Sequence, residues 1–320
     1  MADDTIEVRV DCIRHEADGV LSLELRPYGL ATLPAFSAGS HVDLHLGNGL
    51  VRSYSLMNRP EERECLRIGV YKDPQTRGGS KYIHDHLRPG QLLRSSLPRN
   101  NFPLAEEAGN SVFIAGGIGV TPFRAMISRL NELGKPWRLY YCAEREERAG
   151  FLADFRALAQ EGNGEFVTNF DGVPGGKLLD MAAVVAKAPS DTHFYCCGPT
   201  GMLTAYRDAC RDLPQSQVHF EYFSADVALA AEGGFEVILA KSGKRIQVPA
   251  GNTILDALTA EGIPMPYSCQ QGICGACETP VLSGIPDHRD MILSDEERAS
   301  GKTILVCCSG SLSDELVLDI

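Results

Sequence analysis

Four cysteines carry the most specific chemistry in this sequence. Cys269, Cys274 and Cys277 stand in the spacing C-x4-C-x2-C, inside the string that runs from Ser268 to Glu278, and Cys307 follows 30 positions after Cys277. Three clustered thiolates and one distant one form the plant-type arrangement for a [2Fe–2S] cluster, which needs four. Gly272 and Gly275 lie between the thiolates, where the chain must wrap closely around an inorganic core with backbone N–H groups facing sulfur. A structural zinc site would instead pair two short Cys/His knuckles. A disulfide framework would call for a secretory signal, and the acidic start Met-Ala-Asp-Asp-Thr does not resemble one. An iron–sulfur centre moves one electron at a time, so the remaining residues must account for where electrons come from and where they go.

Two further strings suit a phosphate and a flat ring. In Arg52-Ser53-Tyr54-Ser55-Leu56, strand alternation sends Arg52 and Tyr54 to one face. A fixed cation beside an aromatic ring can hold a phosphate and a ring system. In Arg77-Gly78-Gly79-Ser80-Lys81-Tyr82-Ile83-His84, two glycines precede Ser80 at the start of a helix ending near Pro89-Gly90. Ser80 is expected to cap that helix, whose free N–H groups and positive end make an anion site.

Two glycine turns come later. Ala115-Gly116-Gly117-Ile118-Gly119-Val120-Thr121-Pro122 leaves a strand and opens a helix, with Thr121 expected as the N-cap and Pro122 at the first helical position. Gly117 and Gly119 are expected to let a pyrophosphate approach the helix N-terminus. Tyr195-Cys196-Cys197-Gly198-Pro199-Thr200 repeats the strand-to-helix transition at the carboxyl end of the same sheet, where ligands of such sheets sit.

The elements that must position these residues change character along the chain. Ile6–Val10, Val20–Leu25, His41–Leu46 and Leu66–Tyr71 read as strands of an antiparallel β domain, separated by Gly, Pro and Asn. Residues 97–110 look like a domain crossing. Strands at Ser111–Ala115, Trp137–Ala143 and Thr192–Cys197 then alternate with helices over Pro122–Leu133, Glu147–Gln160 and Thr200–Cys210, which predicts a parallel sheet covered on both faces. Phe220–Phe223 is expected as the last strand, and Ser224–Gly234 as a linker. Strands at Phe235–Ala240 and Lys244–Val248, a Thr253-initiated helix, the cysteine loop and short strands to Leu316–Asp319 follow. The expected division is 1–105 for the antiparallel β domain, 106–224 for the parallel-sheet domain, 225–234 for a linker and 235–320 for the iron–sulfur domain.

Composition agrees with a folded protein of this size. The 320 residues are 44% hydrophobic and 22% charged, with no apolar run long enough to span a membrane, and the chain is expected to be cytoplasmic and monomeric. The net charge of −12 argues against a nucleic-acid partner. From Ala225 onward 14 acidic residues face 6 basic ones, so the acidity is concentrated where the cluster is expected; this favours steering towards a basic protein. Of the 11 cysteines, the seven outside the cluster are read as reduced thiols.

Taken in order, these strings resemble the phthalate dioxygenase reductase type of flavin and iron–sulfur oxidoreductase, which includes vanillate demethylase reductases. The matching pieces also include Phe220-Glu221-Tyr222-Phe223, Asp287-His288-Arg289-Asp290 and Leu316-Val317-Leu318-Asp319. The resemblance implies a multidomain fold: an antiparallel β-barrel flavin domain, an α/β parallel-sheet NAD domain and an α+β ferredoxin-like (β-grasp) [2Fe–2S] domain. It implies that Arg52, Gly79 and Ser80 hold the FMN phosphate and that Tyr54 and Ser55 line the isoalloxazine, with Ser53, Val70 and Lys72 among the flavin contacts. It also places Gly117, Gly119, Thr121, Cys197, Gly198 and Pro199 on the nucleotide side and Phe223 over the flavin ring. The cofactors implied are FMN, NADH and the [2Fe–2S] cluster, and the partner is a Rieske-type oxygenase component.

The order of events follows from the cofactors. NADH delivers two electrons at once; flavin accepts both and releases them singly; the cluster carries them one at a time to an external acceptor. Glu144, just after the second parallel strand, is placed to accept from the adenosine ribose and repel a 2′-phosphate, although Arg145 beside it pulls the other way. Cys307 is the expected fourth ligand and Cys308 its neighbour on the opposite face of a strand. The competing class is a ferredoxin-like carrier or redox sensor without pyridine nucleotide oxidation. A self-contained oxygenase would need a Rieske spacing or a two-His-one-carboxylate site, and neither is evident.

Overall fold

The computed structural model describes residues 5–74, 78–223, 229–230, 232–267 and 269–320. The chain divides into two compact units, Met1–Phe223 and Ser224–Ile320. Arg77, Ser268 and most of the expected linker lie outside the described residues.

The first unit opens with six antiparallel strands: β1 (Thr5–Ala17), β2 (Val20–Pro27), β3 (His41–His45), β4 (Val51–Ser55), β5 (Leu66–Tyr71) and, after helix α1 (Gly79–His86), β6 (Leu92–Ser96). Their order is β4-β3-β6-β1-β2-β5. Met57 N–H donates to the Arg67 carbonyl at 2.8 Å, which ties the end of β4 to β5 and brings the two outer strands together as a barrel. Alternate residues fill the interior: Val8, Leu23, Leu25, Val42, Leu44 and Ile68 are fully buried, and α1 adds Ile83.

The second part of this unit holds β7 (Asn110–Gly116), α2 (Thr121–Glu132), β8 (Trp137–Ala143), α3 (Leu152–Glu161), β9 (Gly164–Phe170), α4 (Met181–Ala186), β10 (Thr192–Cys197), α5 (Thr200–Ala209) and β11 (Val218–Glu221). The five strands are all parallel, in the order β11-β10-β7-β8-β9. The order reverses between β7 and β10, which is the position where such sheets open a crevice for ligands. Phe113, Phe123 and Tyr195 pack with ring centroids 5.0–5.1 Å apart. Phe123 is fully buried, and its truncation to Ala would cost about 3–5 kcal/mol. Ala17, Val20 and Met57 of the barrel belong to this same core, so barrel and sheet form one body. Asp154 fastens the junction by pairing with Arg67 at 3.0 Å and Arg124 at 2.9 Å.

The second unit carries β12 (Phe235–Leu239), β13 (Arg245–Val248), α6 (Ile254–Ala260), β14 (Glu278–Ser283), β15 (Pro286–Asp287), α7 (Asp295–Ser300), β16 (Thr303–Leu305), β17 (Gly310–Ser311) and β18 (Glu315–Leu318). Its main sheet runs β13-β12-β18-β14-β16, with β12 and β18 parallel and the other pairs antiparallel. Helix α6 buries Ile254, Leu255 and Leu258 in the core of this mixed sheet, a β-grasp. Thr253 begins α6 through a reciprocal cap with Asp256, as the sequence predicts.

Several local expectations are corrected. Gly78, not Ser80, occupies the cap of α1, with a left-handed φ of 99° that favours glycine; Ser80 lies inside the helix. Thr121 is not an N-cap either. A 3₁₀ turn over Gly117–Val120 runs directly into α2, and the Thr121 hydroxyl donates back to the Ile118 carbonyl at 2.9 Å. The expected helix Glu147–Gln160 is broken, because Phe151 is left-handed at φ 65° and separates a short turn from α3. The last strand of the sheet ends at Glu221, before Tyr222 and Phe223. Strands β6 and β9 and helix α4 were not singled out by the sequence pattern.

Candidate functional site

In the barrel, β4 presents Arg52 and Tyr54 on one face, as alternation predicts, and Ser53 and Ser55 on the other. Tyr54 is partly buried against the barrel core. Arg52 lies across the start of α1. A Cβ at Gly79 would stand 2.7 Å from Arg52 Cγ and 2.8 Å from its Nε, so only glycine admits the arginine stem there. Arg52 Nη1 donates to the Val51 carbonyl at 2.7 Å. Asp73 N–H donates to Ser80 Oγ at 3.3 Å, which joins the end of the β5 segment to α1. Lys72 pairs with Asp85 of the same helix at 2.7 Å, and His84 Nε2 meets the Val70 carbonyl at 3.1 Å. Ser53 turns the opposite way, its hydroxyl donating to buried Asp43 at 2.7 Å, and Asp43 also pairs with Arg99. The segments around Arg52 and Gly79 thus come together, while Tyr54 and Ser55 leave β4 on opposite sides.

On the sheet side, the two glycine turns meet at the switch point. A Cβ at Gly119 would stand 2.2 Å from the Cys197 carbonyl oxygen, and one at Gly198 3.1 Å from Gly116 Cα. The missing side chain of Gly119 therefore makes room for the neighbouring turn. Gly117 differs: its φ is 54° and nothing lies within 4 Å of a Cβ built there, so its backbone faces open space. Thr121, nearly fully buried, sits between this turn and the barrel strand β5, its Cγ2 2.6 Å from a Cβ placed on Gly69. Phe223 packs, half-buried, against the shared core, and Pro199 is exposed at the head of α5.

One residue of this site was missed in the sequence. Glu221 lies beside Cys197 in the parallel register of β10 and β11, and its carboxyl group is hydrogen-bonded to the Ser55 hydroxyl. The residue as a whole keeps some solvent contact, but Oε2 is buried with no hydrogen-bond partner. Burial pushes the carboxyl up to about 8, against the opposing pull of Ser55, so it holds a proton at neutral pH. Cys197 is likewise pushed well up, by burial first and by Glu221 second. Ser55, Cys197 and Glu221 bring three protic groups to the junction of barrel and sheet. The string Phe-Glu-Tyr-Phe showed a strand; only the packing of that strand against β4 reveals the carboxylate's place.

In the second unit the loop Cys269–Cys277 is built for sulfur. Gln270, Gly272 and Gly275 all adopt left-handed φ (54°, 70° and 74°), which curls the chain tightly. Backbone N–H groups point at the thiols: Gln271 donates to Cys269 Sγ at 3.3 Å, Ile273 also serves Cys269, and Ala276 serves Cys274. Cys269 is in hydrogen-bond contact with both Cys274 and Cys307. Amide donors aimed at sulfur fit anionic, metal-bound thiolates, so the donor set suits a cluster. Among the described residues no group of three or more His, Cys, Asp or Glu is arranged around a single ion; a two-iron core takes its thiolates in pairs. All 11 cysteines are free thiols. Residues 306–308 form a turn after β16, so strand alternation does not distinguish Cys307 from Cys308. Contacts do: Cys307 reaches Cys269, whereas Cys308 Sγ points to the Leu305 carbonyl at 3.7 Å.

Comparison with known proteins agrees with both units. Residues 237–310 match the 2Fe-2S iron-sulfur cluster binding domain, and residues 113–208 match the oxidoreductase NAD-binding domain. The chain is 50% identical over 315 residues to the phenoxybenzoate dioxygenase subunit beta of Ectopseudomonas oleovorans, covering 98% of this chain and 97% of that protein. It superimposes on phthalate dioxygenase reductase with a TM-score of 0.79 and 36% identity, covering 99% and 98% of the two chains. It belongs to the phthalate dioxygenase reductase family. A member of this family is expected to hold flavin, NAD and iron–sulfur modules together, and the barrel, parallel sheet and β-grasp are those three modules. The same module also occurs within a longer protein: an intact type IV self-sufficient cytochrome P450 monooxygenase matches with a TM-score of 0.82 and 37% identity, covering 99% of this chain and 41% of that one. Among the described residues no helix is long and apolar enough to cross a membrane.

Proposed function

We propose that this protein is the reductase component of a Rieske-type oxygenase system, carrying electrons from NADH through FMN and a [2Fe–2S] cluster to the oxygenase. The observation that carries this reading is the pairing, in one chain, of a thiol loop lined with amide donors and a barrel–sheet junction bearing Ser55, Cys197 and Glu221. A plain electron carrier needs the first and has no use for the second. Within the chain, residues 1–105 form the flavin domain, 106–224 the NAD domain, 225–234 the linker and 235–320 the ferredoxin domain.

Each group of residues has a physical task. Arg52 and the N-terminus of α1 at Gly79 and Ser80 hold the FMN phosphate, a cation and a positive helix end facing one anion. Tyr54 and Ser55 line the isoalloxazine, with Ser53, Val70 and Lys72 among the flavin contacts. Gly117 leaves open backbone for the pyrophosphate, and Gly119, Thr121, Gly198 and Pro199 fix the crevice in which the nicotinamide lies. Phe223 shields the flavin until the nucleotide arrives. Bound FMN supplies the conversion of a two-electron donor into single electrons. Glu221 keeps a proton on its carboxyl, so that no negative charge stands at the Ser55–Cys197 junction. Cys269, Cys274, Cys277 and Cys307 hold the cluster.

The acceptor is an oxygenase, and its iron centre decides the Rieske part of the proposal. Homologues of this chain serve as reductase subunits, such as the phthalate 4,5-dioxygenase reductase subunit of Pseudomonas putida, while the longer P450 neighbour carries haem chemistry. Cross-linking the NADH-reduced protein in its native extract and analysing the iron centre of the captured oxygenase tests it. A two-His, two-Cys [2Fe–2S] centre supports the Rieske reading; a haem centre overturns it.

A further inference from the structure

The cysteine loop of the second unit reaches the surface beside apolar side chains. Ile273, Cys274, Gly275 and Ala276 are each half-buried. Ile292, 39% exposed, leans on this stretch, its Cδ1 3.3 Å from a Cβ built on Gly275. The buried Asp290 carboxylate holds its backbone there, accepting from the Ile292 N–H at 3.2 Å and the Leu293 N–H at 2.8 Å. Tyr267, 41% exposed, stands two positions before Cys269. A single exposed apolar residue is ordinary on a protein surface. Ile292 differs in being fixed against the loop that carries the thiols, which is where an electron must leave.

The charges next to this apolar stretch are of one sign. Glu278 is exposed, and its N–H donates to the Gly275 carbonyl at 3.0 Å, so it borders the same turn. Its carboxylate accepts from the Thr303 hydroxyl at 3.0 Å and meets no cation among the described residues. Past Ile292 and Leu293, Ser294 caps α7, and Asp295, Glu296 and Glu297 fill the first turn. Glu297 folds back onto Ser294 at 2.8 Å, whereas Asp295 and Glu296 are exposed. The neighbouring arginines are engaged: Arg289 grips Asp287 at 2.8–3.0 Å, and Arg298 donates to the Asp290 carbonyl at 2.5 Å. Lys302, past the far end of α7, is the exposed exception. The unit as a whole carries 14 acidic and 6 basic residues from Ala225 onward.

Given the reductase reading above, we propose that Ile292 and the Gly275 turn, edged by Glu278, Asp295 and Glu296, form the docking face for the electron acceptor, a protein with basic residues around an apolar centre. Ile292 and the loop backbone supply a centre from which water is excluded on contact, beside the thiolates. The exposed carboxylates draw a basic partner in and fix its approach, acting on the rate of encounter more than on the strength of the complex. One electron then leaves the reduced core for the acceptor's oxidised iron, and the core returns to its oxidised state. Changes on this face should therefore alter delivery to the acceptor and leave delivery from the flavin untouched.

The probe is oxidised cytochrome c, a basic one-electron acceptor, reduced by NADH through the flavin- and cluster-loaded protein over a range of ionic strength. The wild-type kcat/KM for cytochrome c should fall as salt rises. Asp295→Lys/Glu296→Lys should lower it about tenfold at low salt and flatten the salt dependence. Lysines at the start of α7 oppose its dipole, so Asp295→Asn/Glu296→Gln serves as a second variant and should give a smaller loss in the same direction. Ile292→Ser should lower kcat/KM while keeping the wild-type salt dependence. Glu161→Lys/Asp212→Lys makes the same change in net charge at exposed positions of the first unit and should stay close to wild type. An equal loss in that control, or an unchanged kcat/KM in both α7 variants, overturns the proposal. Rapid mixing with NADH in the absence of acceptor should show the same flavin-to-cluster rate in every variant, and a slowed internal step also overturns it. Protein that shows no cluster resonance and no labile sulfide overturns the reductase reading itself, whereas a normal resonance with unchanged acceptor kinetics overturns the docking face alone.

Discussion

Gly79 lies so close beneath Arg52 that a Cβ on residue 79 would stand 2.7 Å from the arginine's Cγ. The two residues come from different elements, a strand and a helix N-terminus, and each is in place because of the other. The cradle therefore has two points of failure. Arg52→Ala removes a charge-assisted contact worth roughly 1.5–3 kcal/mol, or roughly a tenfold to hundredfold loss of flavin affinity. Gly79→Ala pushes the same side chain aside and should weaken flavin binding in the same direction. Both variants should keep their iron and sulfide. Full flavin content in Arg52→Ala after dialysis would show that the arginine is only a surface cation.

The expected preference for NADH can be tested at Glu144. Its carboxylate is bound by Arg148 at 2.6 Å and lies 3.8 Å from Arg145, so it is a fixed negative charge beyond β8. The kcat/KM for cytochrome c reduction should be higher with NADH than with NADPH, and Glu144→Ser should narrow the gap. Equal or better performance of wild type with NADPH would remove Glu144 from the account.

The long elements and the cluster loop were legible in the sequence because their signals are local. Strand β5 (Leu66–Tyr71), β8 (Trp137–Ala143) and β10 (Thr192–Cys197) end where their residue patterns end. The helix starts were less legible, since Ser80 and Thr121 are good cap types but the backbone supplied another solution. Gly78 took a left-handed φ that serine resists, and a 3₁₀ turn fed straight into α2, leaving no cap for Thr121 to fill. The role of Glu221 was not legible at all. Its chemistry depends on Ser55, more than 160 positions earlier, and no local pattern encodes that contact.

Glu221 also predicts a pH dependence. Its carboxyl rises from an ordinary value of 4.5 to about 8 on folding, chiefly through burial. Between those values the folded chain holds more protons than the unfolded one, so stability is full below about 4.5 and is lost as pH rises through about 8. Thermal unfolding measured along that range should show the midpoint falling for wild type and changing much less for Glu221→Gln. Parallel profiles for the two proteins would mean that the carboxyl ionises normally in the folded state.

Cys307 and Cys308 are neighbours in a turn, both buried, yet their contacts differ. Cys307 reaches Cys269; Cys308 Sγ faces the Leu305 carbonyl and the space left by Gly272. Cys307→Ser should strip or strongly perturb the cluster while NADH still bleaches the flavin. Cys308→Ser should leave both spectra nearly intact. The reverse pattern would make Cys308 the fourth ligand.

A single chain here takes electrons in pairs from NADH and delivers them singly to its own cluster. Anaerobic mixing of the purified protein with NADH, followed by rapid absorbance and by electron paramagnetic resonance of frozen samples, tests it most directly. The flavin bands should bleach first, and the resonance of a reduced [2Fe–2S] cluster should appear afterwards in the same molecules. A cluster that stays oxidised while the flavin is fully reduced, or a protein that carries a cluster and no flavin, would contradict it.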